Sequence, residues 1–295
     1  MEYKKLYNGV LMPKVGYGVY QISKSDCEKC VLDALSVGYR HIDTAQSYFN
    51  EEEVGNAIKK SKIPREEIFI TTKIWIDNYG YEKCKQSLQE SLRKLQTNYI
   101  DLVLLHQPFS DYYGAWRALE EAYEQGIVRA IGVSNFYPDR LVDICNFARI
   151  KPMVNQIETN PFNAQKEAHK WLDKYQVAHV AWAPLGEKRN GLLENETLIK
   201  IAKEHNKSVA QVILRWELQN DVIVIPKSTH KERMEENFNI LDFSLSQKDM
   251  DEINNLDTKN SLFFSHYDPK MVEWFVEIVV QRRENNDHTK EKKNW

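Results

Sequence analysis

The sequence predicts a closed (β/α)8 barrel, and three observations carry that prediction. Short β-rich runs alternate with helical runs eight times, the signature of a parallel sheet wrapped by helices. No long linker breaks the alternation, so a single barrel absorbs most of the 295 residues. An open doubly wound sheet wants G-x-G-x-x-G after its first strand; Gly16 and Gly18 are present, but the third place is Gln21.

The elements follow in order. Residues 4–12 alternate around Asn8-Gly9, a dipeptide suited to a two-residue hairpin turn with positive φ at both central positions. A hairpin placed before any crossover helix is expected to cap one end of the barrel. The strands are predicted at 15–18, 40–44, 68–72, 100–105, 129–133, 153–157, 178–183 and 222–225. Helices are predicted at 25–37, 51–60, 81–95, 114–124, 138–148, 165–175, 197–205 with 209–218, and 231–239. Leu88, Leu92 and Leu95 give the third helix one apolar stripe, and Pro138 suits the first turn of the fifth, where a missing N–H costs nothing. Extra C-terminal helices are predicted at 247–256 and 269–283, separated by an irregular aromatic stretch at 261–268. Met271, Trp274, Phe275 and Ile278 stripe the last helix, which is expected to dock on the barrel. The domain is thus read as 1–283, with 284–295 a flexible charged tail.

Composition excludes several function classes. With 40 basic and 43 acidic side chains, the net charge of −3 creates no field suited to nucleic acid or an anionic membrane surface. Neither an apolar N-terminal leader nor a run of about 18 apolar residues is present, so the expectation is a soluble cytoplasmic protein. Four cysteines make no disulfide framework, which suits a reducing compartment. Cys27 and Cys30 form a C-x-x-C, but they lie within one predicted helix without a second pair, so a helix surface is expected rather than a metal or redox site. A monomer is expected because no apolar helix face is left over once the barrel is packed.

Barrel enzymes keep their chemistry where strands end and loops begin. In GYRHIDTAQSY, residues 38–48, the second strand hands Asp43 and Tyr48 to such a loop. Lys73 follows the third strand, His106 the fourth, Ser134 and Asn135 the fifth; Gln156 and Glu158 lie near the end of the sixth, and Trp182 at the end of the seventh. Each alone is ordinary. Polar groups at six successive strand ends point to one mouth. A phenol is a weak acid, with a pKa of about 10, and a cation beside it lowers that value. Lys73 is the expected cation, Asp43 its partner, and Tyr48 the general acid that protonates an oxyanion developing on a carbonyl, which His106 orients. The missing reductant is expected to be a bound hydride donor. Asn135 and Gln156 suit a carboxamide, and the indole of Trp182 suits a nicotinamide face. Lys227, Ser228 and Arg233, at the start of the helix after the last strand, suit a phosphate monoester.

Two competing motifs are weaker. Tyr81 and Lys85 form a Y-x-x-x-K without a Gly-rich cofactor turn, and His41 and Asp43 form an H-x-D without further metal ligands apart from His106. No metal is expected.

Together GYRHIDTA with Tyr48, TTKIW at 71–75, LLHQP at 104–108, VSNF at 133–136, NQIE at 155–158, APLG at 183–186 and IPKSTHKER at 225–233 resemble the aldo-keto reductase family. The small bacterial members grouped with diketogluconate reductases and prostaglandin F synthase-like enzymes are the most similar. The resemblance runs from about residue 9 to 256. It implies a catalytic set of Asp43, Tyr48, Lys73 and His106, and hydride transfer from NADPH to an aldehyde or ketone, the small-molecule partner. It further implies cofactor contacts from Gly18, Val19, Tyr20, Ser134, Asn135, Gln156, Trp182, Ala183 and Leu185. Lys227, Ser228, Thr229 and Arg233 would hold the adenosine phosphate, with Glu236 and Asn237 near the adenine. Tyr20, Trp75, His106 and Gln107 would line the substrate pocket. Gln107 stands where many relatives carry Trp, the loop after Pro108 is short, and Val19 replaces a frequent Thr; these departures bear on substrate preference. Trp75, Phe109, Tyr112 and Tyr113 form either an aromatic rim or packing. The alternative class is a non-catalytic NADP-binding barrel serving as a redox-sensing subunit, against which the intact acid set argues.

Overall fold

The computed structural model describes residues 1–291, with side chains through Arg282. Its central feature is an eight-stranded parallel sheet in sequential order. After a two-stranded hairpin, β1 (Tyr3–Lys5) and β2 (Leu11–Pro13), come β3 (Tyr17–Gly18), β4 (His41–Asp43), β5 (Phe69–Ile74), β6 (Leu102–Leu105), β7 (Ile131–Ser134), β8 (Val154–Glu158), β9 (Ala178–Trp182) and β10 (Ile223–Val224). Closure is explicit in the hydrogen bonds. Gly16 N–H donates to Val224 O at 2.8 Å, Val224 N–H to Lys14 O at 2.9 Å, and Gly18 N–H to Pro226 O at 3.2 Å, joining the first strand of the sheet to the last.

The crossovers are α1 (Lys24–Val37), α2 (Glu51–Ser61), α3 (Tyr81–Leu95), α4 (Tyr112–Glu124), α5 (Pro138–Phe147), α6 (Lys166–Tyr175), α7 (Glu196–His205), α8 (Val209–Gln219) and α9 (Lys231–Phe238), followed by α10 (Gln247–Asn254) and α11 (Pro269–Glu291). Every residue of β5 to β8 is buried, as expected of strands covered on both faces. Leu88, Leu92 and Leu95 are buried on α3 as their spacing requires. Capping boxes start α8 (Ser208 with Gln211) and α10 (Ser246 with Asp249), each pairing two otherwise orphaned backbone donors.

The hairpin closes the barrel's N-terminal end. Lys4 and Lys14 both ion-pair with Asp221, just ahead of β10, and Asn8 Nδ2 donates to Arg129 O at 3.0 Å, just ahead of β7. Its turn is wider than the two-residue form predicted. Leu6 N–H donates to Val10 O at 2.9 Å, and of the two central residues only Gly9 has positive φ, +90°. One glycine in the left-handed region is what a three-residue turn needs.

Three further expectations differ. Strand β5 extends to Ile74, because Lys73 and Ile74 go on pairing with Leu104 and Leu105; Lys73 therefore lies inside the ladder, not after it. Cys27 and Cys30 face inward and are buried, so they are not a helix surface; burial pushes the Cys27 thiol up to about 12, which keeps it protonated. Gly186–Glu194, between β9 and α7, is a run of tight turns that the sequence did not suggest, with positive φ at Glu187, Lys188, Asn190 and Gly191.

The chain divides into two compact units, Met1–Leu262 and the part from Phe263 onward. This boundary precedes the one expected at 283. In the second unit Phe264, His266, Trp274 and Phe275 form a cluster of tilted and stacked rings. Helix α11 runs beyond residue 283 to Glu291, into the stretch expected as a flexible tail, and 292–295 lie outside the described residues. It exposes Val272, Val276 and Val280 at i, i+4, i+8, so the reason given above for a monomer does not hold.

Candidate active site

The barrel's C-terminal mouth gathers the strand-end groups. Gly18, Asp43 and Thr71 are register partners on adjacent strands, and alternation along β5 puts Lys73 on the same face as Thr71. Lys73 is fully buried, and each of its three N–H donors has an acceptor: a carboxylate oxygen of Asp43, Thr44 O at 2.9 Å and Tyr48 Oη at 3.4 Å. The other Asp43 oxygen accepts from Gln156 Nε2 at 2.8 Å. Tyr48, Lys73, Asp43 and Gln156 thus form one connected chain. Since the phenol oxygen accepts from Lys73, its own proton is left to point elsewhere.

Burial dominates the electrostatics. It raises Tyr48 well above an ordinary phenol, and the Asp43 carboxylate and Tyr20 phenol push the same way. This corrects the expectation that the neighbouring ammonium lowers it: loss of water outweighs one ammonium whose own charge is shared with Asp43. Lys73 is lowered by burial against the opposing pull of Asp43.

Rings surround the phenol. Tyr20 lies 4.9 Å from the Tyr48 ring, and His106 5.8 Å from it at a steep angle; Trp75 stands edge-on to His106 at 5.1 Å. Tyr20 is half exposed, whereas Trp75, His106 and Gln107 are buried. Gln107 is held by Tyr79, whose hydroxyl accepts from its N–H at 3.0 Å and donates to its carbonyl at 2.8 Å. Tyr112 and Tyr113 do not form a rim: both hydroxyls donate to Asp143 Oδ2 at 2.8 Å, packing α4 on α5.

The predicted cofactor groups lie along the same mouth. Asn135, in the left-handed region at φ +64°, donates to His106 O at 3.0 Å and accepts from the Trp182 indole at 2.8 Å, which fixes the indole plane. Ser134 Oγ donates to Gln156 O at 2.8 Å. Ala183 and Leu185, just past β9, are partly exposed. Val19 N–H donates to Asp43 O at 3.1 Å, and Val19 O accepts from Asn50 at 3.0 Å, so the segment carrying Gly18, Val19 and Tyr20 is tied to the loop after β4. A Cβ at Gly18 would stand 2.9 Å from Ile225 O, which is why only glycine fits. Beyond β10, Lys227, Thr229 and Arg233 are exposed at the start of α9, while Ser228 is buried with its carbonyl bonded to Tyr17. Glu236 is partly exposed and Asn237 buried on the same helix. Exposed cations beside a helix start fit a phosphate-bearing cofactor.

Other singled-out groups serve structure. Glu158 accepts from Leu262 N–H at 2.8 Å and from the Ser261 hydroxyl, anchoring the chain after α10. Tyr81 and Lys85 bond Glu121, bridging α3 to α4. His41 bonds Thr71 at 3.0 Å, and no group of three metal-ligating side chains occurs among the described residues. Gln46, Ser47 and Tyr79 were missed: their partners lie on other elements, and no local pattern marks them.

The fold and site thus define a closed barrel with a buried tyrosine–lysine–aspartate chain at its mouth and cations after its last strand. Residues 6–258 match the model of the aldo/keto reductase family. The chain belongs to that family. It is 49% identical over 254 residues to the glyoxal reductase of Bacillus subtilis (strain 168), covering 85% of this chain and 91% of that protein. Against the methylglyoxal reductase of Yersinia pestis the figures are 44% over 256 residues, 86% and 92%. Among solved structures, an aldo-keto reductase from a Medee basin deep-sea metagenome library superposes with a TM-score of 0.88 at 43% identity, covering 90% of this chain and 98% of that one. The Bombyx mori aldo-keto reductase in complex with NADP gives 0.85 at 33%, covering 89% and 95%.

Proposed function

We propose that the protein is an NADPH-dependent reductase of small aldehydes and ketones, with 2-oxoaldehydes of the glyoxal type as its first candidates. The observation that carries the reading is the connected chain of Tyr48, Lys73 and Asp43 beside His106 at the barrel mouth. When bound, the nicotinamide supplies a hydride to the carbonyl carbon.

This chain's residues do the rest. Tyr48 donates its proton to the carbonyl oxygen as negative charge builds there. Its raised pKa keeps that proton in place across neutral pH, and an alkoxide is a far stronger base than a phenolate, so the transfer runs downhill. Lys73, fixed by three acceptors, turns the hydroxyl outward and stabilises the phenolate left behind. Asp43 balances the lysine charge, and Gln156 holds Asp43. His106 orients the carbonyl, while Trp75 and Tyr20 shield it from water. Ser134, Asn135, Gln156 and Trp182 would flank a bound nicotinamide, and Lys227, Ser228, Thr229 and Arg233 would take the adenosine phosphate, which would favour NADPH over NADH. The relatives named for glyoxal and methylglyoxal support the substrate class, and the neighbour with NADP supports the cofactor.

Steady-state oxidation of NADPH and of NADH with methylglyoxal, glyceraldehyde and nitrobenzaldehydes tests this. Turnover with NADPH is expected; binding of NADPH with turnover no higher than background would favour the non-catalytic barrel.

A further inference from the structure

We propose that Gln46 is a positioning residue that sets the width of the carbonyl pocket by tying the loop of the proton donor to the loop of the aromatic wall. The inference rests on the reading of Tyr48 as that donor. Tyr48 ends a three-residue 3₁₀ turn, Gln46–Tyr48, which has no side-chain cap and whose next residue, Phe49, is left-handed at φ +59°. Such a turn holds itself weakly: its backbone bonds are Tyr48 N–H to Ala45 O at 3.0 Å and Phe49 N–H to Gln46 O at 3.3 Å.

The Gln46 side chain supplies lateral support in four directions. Its oxygen accepts from Trp75 N–H at 3.0 Å and from Asn78 Nδ2 at 2.8 Å. Its nitrogen donates to Ser87 O at 3.2 Å and to Ser91 Oγ at 3.1 Å on α3. Two donors and two acceptors exhaust a primary amide. Trp75 leaves the sheet just after Ile74, so its N–H has no ladder partner and takes this one instead. The Tyr48 and Trp75 rings both pack against His106, with centroids 5.8 and 5.1 Å from its ring. One amide therefore ties the loop of the acid to the loop that carries Trp75, with α3 as the reference, and so sets how far the two rings can move apart. A small dicarbonyl depends on that spacing more than an aromatic aldehyde, whose ring spans a loosened pocket.

The test compares kcat/KM for methylglyoxal and for 4-nitrobenzaldehyde with NADPH in wild type and in Gln46→Met, which keeps the length and removes all four bonds. The ratio of the two, methylglyoxal over nitrobenzaldehyde, is expected to fall at least threefold, with the Kd for NADPH within twofold of wild type. Ser91→Ala removes one acceptor on α3, and a smaller fall of the same sign is expected; should Gln46→Met fail to fold, the Ser91→Ala ratio decides. A ratio within threefold of wild type in a folded Gln46→Met, even with both rates reduced alike, overturns the proposal and makes Gln46 merely structural. A Ser91→Ala ratio that is unchanged or raised, when it alone is available, does the same. If the wild type reduces neither aldehyde, the functional reading falls and this inference with it.

Discussion

Replacing Glu217 by Gln should stabilise the protein increasingly as pH rises. Glu217 lies on α8, is fully buried, and neither carboxylate oxygen has a hydrogen-bond partner among the described residues. Burial raises its pKa well above that of an ordinary glutamate. In the unfolded chain the same carboxyl ionises near a pKa of about 4.3. Below that value both states are protonated and the group carries no linkage penalty. Above it the unfolded state releases a proton that the folded state keeps, so stability falls by about 1.4 kcal/mol per pH unit until the folded carboxyl also ionises. Gln has the same shape, cannot titrate, and removes that slope. From pH 5 upward the gap between variant and wild type should widen by about 1.4 kcal/mol per pH unit until the folded carboxyl ionises. For a chain of this size each such step corresponds to roughly 2 °C in Tm. Urea unfolding of both proteins at pH 5, 6, 7 and 8 measures it, and a plateau in the gap marks the folded pKa. A gap that does not change with pH would mean that Glu217 ionises inside the fold, or finds a partner there, and the reasoning would be wrong.

Three further predictions concern the mouth. Tyr48→Phe should lower carbonyl reduction by at least about a hundredfold while leaving the Kd for NADPH within about twofold, since the phenol acts on the substrate oxygen; single-turnover rates and cofactor titration read the two separately. Arg233→Ala should weaken NADPH much more than NADH, which lacks the 2′-phosphate, as fluorescence titration with both would show; equal losses would locate the phosphate elsewhere. Asp43→Asn strands a buried ammonium and should cost about 3 to 5 kcal/mol at pH 7. Because burial already favours neutral Lys73, raising the pH lets the folded state shed that proton while the unfolded state keeps it, so the deficit should shrink toward pH 10. Urea midpoints across that range check the sign.

What was legible in the sequence is what repeats. Each βα unit delivers a polar residue at the same point of its own period, so Asp43, His106, Ser134, Gln156 and Trp182 were recognisable from local pattern alone. Lys73 shows the limit of that reasoning. Its ladder bond partners, Leu104 and Leu105 with Ile74, lie about thirty residues away, and no local cue says that a lysine continues a buried strand. The direction of the Tyr48 pKa was misjudged for a related reason: proximity to Lys73 could be guessed, but the depth of burial that overrides it is a property of the closed barrel. Gln46 was invisible because its four partners come from two other elements.

The two ends of the barrel handle charge differently. At the N-terminal end, Asp101 is buried but shared by Arg65 and Arg129, each at 2.8 Å, and it also accepts from Ile70 N–H at 3.0 Å; Asp221 is shared by Lys4 and Lys14. There each carboxylate meets two cations that themselves reach toward solvent, an arrangement that serves stability. At the C-terminal end the proportions invert. One carboxylate, Asp43, answers one ammonium with no route to water, and the lysine's third donor is spent on a neutral phenol at 3.4 Å, the longest of its three contacts. Lys85 also reaches a phenol, Tyr81 Oη at 3.4 Å, but Lys85 is partly exposed whereas Lys73 is fully buried. Under the proposed function the Tyr48 phenol is the group whose charge changes, and Lys73 already stands where it would meet the phenolate.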